Sequence, residues 1–257
     1  MKIQEVIALV KRTKDLVENQ ELAEHIKVKG PADYVTQVDI GIQNFLKEEL
    51  SRLAPQIQFL GEETGLQELT GDSFWILDPI DGTTNLIHGY LHSTVSLGLC
   101  QQGEIVMGIV YDPFREEVFW AEKGKGSFLN DKPIQVSKSA SLSKTIIGVG
   151  TTPYQRELAE ENFKCFHRVF MRCQDIRRTG SAAMELAYTA CGRQGGYFEA
   201  CLQPWDYAAG LLLVQEAGGL VTDFFGRPTD PRKAGSVVAT NGLLHKELLE
   251  LLKREPS

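Results

Sequence analysis

The densest run of chemistry-bearing side chains is Leu77-Asp78-Pro79-Ile80-Asp81-Gly82-Thr83-Thr84-Asn85, directly after the apolar residues Phe74 to Leu77. Asp78 and Asp81, with the Ile80 carbonyl between them, form an all-oxygen donor set of the kind hard divalent cations take. Pro79 fixes its own φ and has no N–H, whereas Gly82 admits a backbone conformation closed to other residues. If Thr83 and Thr84 open a helix, their N–H groups and the Thr83 hydroxyl sit at its positive end, where a phosphate is held. The same Asp-Pro and Asp-Gly pairs also suit a solvated turn, so a cation site needs acids from elsewhere.

Two further segments offer them: Gly61-Glu62-Glu63-Thr64 and Pro204-Trp205-Asp206-Tyr207-Ala208-Ala209-Gly210. Taken singly, Glu62-Glu63 reads equally as a solvated pair, and Asp206 as the N-cap of the helix that follows.

The elements that must position these residues follow from periodicity. Residues 2 to 25 place Val6, Leu9, Val10, Leu16 and Leu22 at helical intervals, and a second helix is expected from Val38 to Leu53, ending before Pro55. Phe74 to Leu77, Thr94 to Cys100, Ile105 to Tyr111 and Val118 to Ala121 read as strands of an antiparallel meander. Beyond Thr145, strands at 145–149, 196–199, 220–223 and 236–239 alternate with helices near 156–171, 182–191, 206–217 and 243–253. The fold class is therefore α/β, with α+β character in the N-terminal half. One unit over 1–257 is expected, with possible halves 1–140 and 141–257 meeting near Lys132 to Lys144.

Composition narrows the function. The 27 Lys and Arg against 34 Asp and Glu give a net charge of −7, which offers a nucleic-acid backbone no general attraction. No stretch has membrane-spanning length, and the first residues lack a signal-peptide cleavage pattern. Cys100, Cys165, Cys173, Cys191 and Cys201 show no CxxC spacing, so they are expected as buried thiols in a reducing cytoplasm. His88 and His92 follow the carboxylate loop but are expected to be structural, because oxygen ligands already account for the ions.

Four segments together resemble the inositol monophosphatase family of lithium-sensitive, magnesium-dependent phosphatases: Asp33-Tyr34-Val35-Thr36-Gln37-Val38-Asp39, Gly61-Glu62-Glu63, Trp75 to Thr83, and Trp205 to Gly210. The resemblance implies a layered α-β-α-β-α sandwich. It implies that Glu62, Asp78 and the Ile80 carbonyl bind one Mg2+, that Asp78, Asp81 and Asp206 bind a second, and that Glu62 reaches a third through water. Asp39 and Thr83, with Glu62, would ready the attacking water. Substrate contacts would come from Glu62, Ile80, Asp81, Gly82, Thr83, Gly180, Ser181, Ala182, Glu199 and Asp206. Ser181 also reads as a helix N-cap, Glu199 as a strand-end carboxylate, and Arg177 and Arg178 as surface basicity.

The loop Lys27 to Asp33 fits the family's mobile flap, its lysines either screening a phosphate or solvating the surface; a shorter spacing from Lys29 to Asp33 than in the usual animal pattern sets Lys29 apart. The implied activity is hydrolysis of a small phosphorylated polyol, most directly myo-inositol monophosphate, by a cytoplasmic homodimer with no nucleic-acid or membrane partner. The alternatives are a fructose-1,6-bisphosphatase or dual-specificity sugar phosphatase and, in a different class, a regulatory module docking on a macromolecule.

Overall fold

The computed structural model describes residues 2–30, 33–65 and 71–253. Where one helix was expected over residues 2 to 25 there are three: α1 (Ile3–Lys11), α2 (Lys14–Val17) and α3 (Gln20–Glu24). The break has a local cause. Thr13 is buried, and both its N–H (3.1 Å) and its hydroxyl (2.6 Å) donate to the Val10 carbonyl, tightening the chain there. Asn19 then caps α3 by accepting from the Leu22 N–H at 3.3 Å.

The flap segment is an antiparallel hairpin of β1 (Ile26–Gly30) and β2 (Asp33–Thr36); Pro31 and Ala32 lie outside the described residues. α4 (Gln37–Leu53) runs almost as expected, opened by a capping box between Thr36 and Asp39. After β3 (Gln58–Gly61), the chain enters β4 (Ser73–Asp81), buried from Phe74 onward, and turns through α5 (Thr83–Ile87). β5 (Thr94–Gln101), β6 (Glu104–Asp112), β7 (Glu117–Glu122), β8 (Gly126–Leu129) and β9 (Lys132–Ile134) complete a seven-stranded sheet in chain order. The β3–β4 pair is parallel and every later pair antiparallel, so the expected meander is present and extends two short strands further.

The second sheet contains β10 (Ile146–Val149), β11 (Asp175–Arg177), β12 (Gly196–Leu202), β13 (Leu220–Thr222) and β14 (Gly235–Thr240), in the order β11-β10-β12-β14-β13. Its β10–β11 and β10–β12 pairs are parallel, and the β14 pairs antiparallel. Helices α6 (Ala159–Phe170), α7 (Ala182–Ala190), α8 (Pro204–Glu216) and α9 (His245–Leu252) interleave.

Three cores divide five layers. One joins α1 and α4 to the first sheet through Val6, Val10, Ile42, Leu46, Leu77 and Ile109. A second joins both sheets to α7 and α8 through Ile76, Val110, Leu186, Leu213, Tyr197 and Val237. The third joins the second sheet to α6 and α9 through Phe166, Val169, Phe198, Val238 and Leu248. The result is the α-β-α-β-α sandwich. Helix α8 lies unusually close to the first sheet: a methyl at Gly108 would stand 2.6 Å from the Ala209 carbonyl oxygen, and one at Gly98 would stand 3.5 Å from Ala208 Cβ.

Among the described residues no helix is long and apolar enough to cross a membrane. No disulfide joins the five cysteines, all of which are among the described residues. Cys100 and Cys165 are buried, but Cys173, Cys191 and Cys201 are only half-buried because they sit at or near element ends, which corrects the expectation of five buried thiols.

Candidate active site

The site is built where β4 ends. The β4–β5 register runs evenly from Ser73 opposite Gln101 to Asp78 opposite Ser96, then shifts before Asp81 meets Thr94. Pro79 stands in the gap; it has no N–H to give the ladder, so pairing lapses there. Asp78 is 2% exposed, and its Oδ1 has no hydrogen-bond partner. Asp81 accepts at Oδ2 from the Ser181 hydroxyl (2.7 Å) and the Ala183 N–H (2.6 Å). Ser181 is therefore both the N-cap of α7, accepting from Met184 N–H, and the donor that orients Asp81.

Gly82 has φ +94, and a Cβ there would meet the Gly180 carbonyl oxygen at 3.1 Å. The expected helix does open at Thr83, where the hydroxyl lies 3.0 Å from both the Ile80 carbonyl and Asp39 Oδ1. Its single proton serves one acceptor at a time.

Asp39 and Asp206 share one device. Asp39 is the third residue of α4 and takes the Thr36 N–H (2.8 Å) and hydroxyl (2.5 Å) on Oδ2, leaving Oδ1 for Thr83. Asp206 is the third residue of α8 and not the N-cap that its alternative reading made it, because Pro204 already occupies the first helical position; its Oδ2 takes the Gln203 N–H at 2.7 Å. Each helix start thus anchors one carboxylate oxygen; Asp206 lines the cavity itself, and Asp39 reaches it through the Thr83 hydroxyl.

Glu62 stands in the single turn after β3, and Lys29 of β1 lies 3.1 Å from it and 2.7 Å from Glu63. Lys29 therefore spends its charge on these two acids instead of on open solvent.

One cavity is lined by Glu62, Asp78, Ile80, Asp81, Gly82, Thr83, Gly180, Ser181, Ala182, Glu199 and Asp206, gathering the segments read from sequence; Asp39 joins them through Thr83. His88 and His92 are not among its lining residues. His92 packs between the rings of Tyr90 and Tyr188, with its Nδ1 3.4 Å from Arg115.

Crowded acids with little solvent resist ionisation. Burial foremost, then Glu62, Asp81 and Asp206, pushes Asp78 well above the usual carboxylate range. Burial also raises Asp81 to about 6, against the donors of Ser181 and Ala183, and Glu62 to about 7, against the Lys29 charge. Asp206 is driven well up by burial and by Asp81. Among the described residues no three Asp, Glu, His or Cys side chains are already drawn in as an ion's ligands; Lys29, Ser181 and Gln203 engage three of the carboxylates instead. The donor set nevertheless fits a hard cation. It is all oxygen, it concentrates negative charge in one cavity, and Asp78 Oδ1 is buried with no donor to satisfy it.

Glu199 on β12 is more committed than sequence suggested. Its Oε1 accepts from the Thr152 N–H (2.7 Å) and hydroxyl (3.2 Å), and its Oε2 from the Tyr197 hydroxyl (2.5 Å). Sequence reading also missed Tyr154, and Glu185 of α7, which line the cavity too. Buried Glu185 accepts from the Thr179 N–H (3.1 Å) and hydroxyl (2.8 Å), next to Gly180. Arg178 was noticed only as surface charge, with nothing to separate it from Arg177. Arg177 pairs with Asp175, whereas Arg178 lines the cavity.

Comparison with known proteins agrees with this fold. A model of the inositol monophosphatase family matches residues 2–257. An inositol-1-monophosphatase of Rhizobium meliloti is 42% identical over 242 residues, covering 94% of this chain and 90% of that protein. A Nus factor SuhB of Xylella fastidiosa is 43% identical over 202 residues, covering 79% and 73%. The crystal structure of the extragenic suppressor protein suhB from Bartonella henselae superposes with a TM-score of 0.90 at 38% identity, covering 98% of each chain.

Proposed function

The chain belongs to the inositol monophosphatase family, and on that premise we propose that it is a Mg2+-dependent phosphatase of small phosphorylated polyols, myo-inositol monophosphate foremost. The observation that carries this reading is the meeting of Glu62, Asp78, Asp81 and Asp206 with the Ile80 carbonyl on one cavity, with Asp78 Oδ1 left unbonded. Two or three bound Mg2+ would supply positive charge for the phosphoryl group and the leaving oxygen. Glu62, Asp78 and Ile80 are proposed to hold one ion, and Asp78, Asp81 and Asp206 a second.

The chain's own groups do the rest. Gly82 and Thr83 present N–H donors where a phosphoryl oxygen lies. Thr83, held by Asp39, orients the attacking water, and Asp39, whose affinity for a proton is raised by burial, takes up the Thr83 hydroxyl proton as Thr83 accepts the one that water gives up. Asp39 keeps its place because two Thr36 donors hold its other oxygen. Ser181 and Ala183 do the same for Asp81.

We take residues 1–257 as a single unit, supported by the core that α7 and α8 share with both sheets. Cytoplasmic residence, a homodimer and lithium sensitivity belong to the same proposal. The reading of a regulatory docking module draws on the relative named a Nus factor SuhB; the full set of acids favours the enzyme. Steady-state phosphate release from inositol, sugar and nucleotide monophosphates and from fructose 1,6-bisphosphate decides between them. Release only with Mg2+, fastest from inositol monophosphate, is the expected result; no release from any of them would favour the docking module.

A further inference from the structure

The cavity floor is rich in acceptors, and a polyol also needs donors. Two donors stand on its rim. Tyr154 is 59% exposed overall, yet it lines the cavity, and its hydroxyl has no hydrogen-bond partner among the described residues. A phenol holds its proton at neutral pH, so the Tyr154 hydroxyl enters the site as a neutral group able to donate. Arg178 is the single basic side chain lining the cavity among the described residues. Its Nη2 donates to the Thr151 hydroxyl at 3.2 Å, and its Nη1 lies where a Cβ on Gly180 would come within 2.9 Å.

The rim carrying these donors is held in place. Thr152, a β-branched residue, has φ +47, a conformation it adopts only under constraint. The constraint is buried Glu199, which takes both the Thr152 N–H and its hydroxyl. Pro153 then stiffens the step to Tyr154. A strained residue pinned by a buried acid, two positions before an unpaired hydroxyl, is a fixed arm and not a loose loop.

We infer that the Tyr154 hydroxyl and the Arg178 guanidinium are specificity-determining donors that bind the hydroxyl groups of the substrate's polyol part. This rests on the phosphatase reading above. The Arg178 guanidinium only donates, and the unpaired Tyr154 hydroxyl has a proton to give as well as lone pairs to accept, whereas the acids of the floor are engaged by protein donors or suited to cations. The rim therefore distinguishes a hydroxylated substrate from a bare phosphate ester without taking part in phosphate release.

The test compares Tyr154→Phe and Arg178→Ala with wild type in Mg2+, using myo-inositol 1-phosphate and phenyl phosphate, which has no hydroxyl beside its ester. Loss of one hydrogen bond should raise KM for the inositol ester about 3- to 10-fold. Its kcat should stay within about twofold, and KM for phenyl phosphate should not move. Both side chains are exposed, so thermal melting should match wild type and confirm that the variants fold. Unchanged KM for the inositol ester, or an equal rise for both esters, would overturn the inference while wild-type turnover keeps the phosphatase reading intact. A wild type that hydrolyses neither ester overturns that reading and the inference with it.

Discussion

The floor of the cavity and the hairpin beside it are opposite solutions to placing charge. At and beneath the floor, Asp78, Asp81 and Asp39 are at most 8% exposed, and burial foremost holds all three above the usual carboxylate range. On the hairpin, Val28 is 65% exposed, and β1 is solvent-facing over almost its whole length. Lys29 touches the floor from this strand, across a partly solvated ion pair with Glu62. Floor residues are fixed by backbone donors and helix starts, and hairpin residues mainly by the β1–β2 ladder. A change in the floor should therefore be felt in chemistry and stability together, and a change in the hairpin in neither or in one alone.

The largest contrast should come from Asp81→Asn, which removes one floor charge at nearly constant volume. Turnover with Mg2+ should drop at least about 100-fold with the fold retained, as read by steady-state kinetics and circular dichroism. Turnover near wild type would break the assignment of Asp81.

Glu185 offers a stability measurement on the same side of the comparison. Burial foremost raises its pKa from 4.5 to about 7. A carboxyl raised in the folded state binds its proton more tightly folded than unfolded. Its contribution is thus fully present below pH 4.5 and lost as pH climbs through about 7. The loss is on the order of 3 kcal/mol. Urea unfolding at pH 5 and pH 8 should show wild type weakening by that much more than Glu185→Gln, which cannot ionise; parallel curves would refute it.

Gly82→Ala puts a side chain at φ +94 and 3.1 Å from the Gly180 carbonyl oxygen. A loss of about 1–3 kcal/mol is expected, with slowed turnover because Thr83 follows directly. At the small end, Val28→Thr should shift stability within about 0.5 kcal/mol and leave turnover unchanged. A larger shift would mean that the hairpin is more tightly bound to the body than its exposure indicates.

The same division explains what could be read from sequence. The Asp78 to Thr83 loop was legible because its donors, its stiffening Pro79 and its turning Gly82 are contiguous. The meander was legible because each of its longer strands is a buried apolar run. Other features depend on contacts far along the chain. Nothing near Tyr154 announces its place, which follows from Glu199, 47 positions after Thr152, accepting that residue's N–H. Arg177 and Arg178 look alike in sequence and differ only in which way the end of β11 directs them. The break at Thr13 depends on burial of a hydroxyl, and β8 and β9 are too short, with Lys132 and Pro133, to show alternation. Asp206 was assigned to the site through the family resemblance; its alternative reading as an N-cap does not hold, since Gln203 is the cap and Pro204 takes the first helical position.

The bare faces of Gly98 and Gly108 act as a caliper. They let α8 rest almost backbone to backbone on the first sheet, and α8 carries Asp206 in its first turn while that sheet carries Asp78 and Asp81. The gap between two acid-bearing walls of the cavity is thus gauged by two positions without side chains, in mid-strand and outside the cavity lining. A methyl at Gly108 would meet the Ala209 carbonyl oxygen at 2.6 Å and push α8 outward, so the spacing of the proposed ion ligands is adjustable from a position that touches none of them.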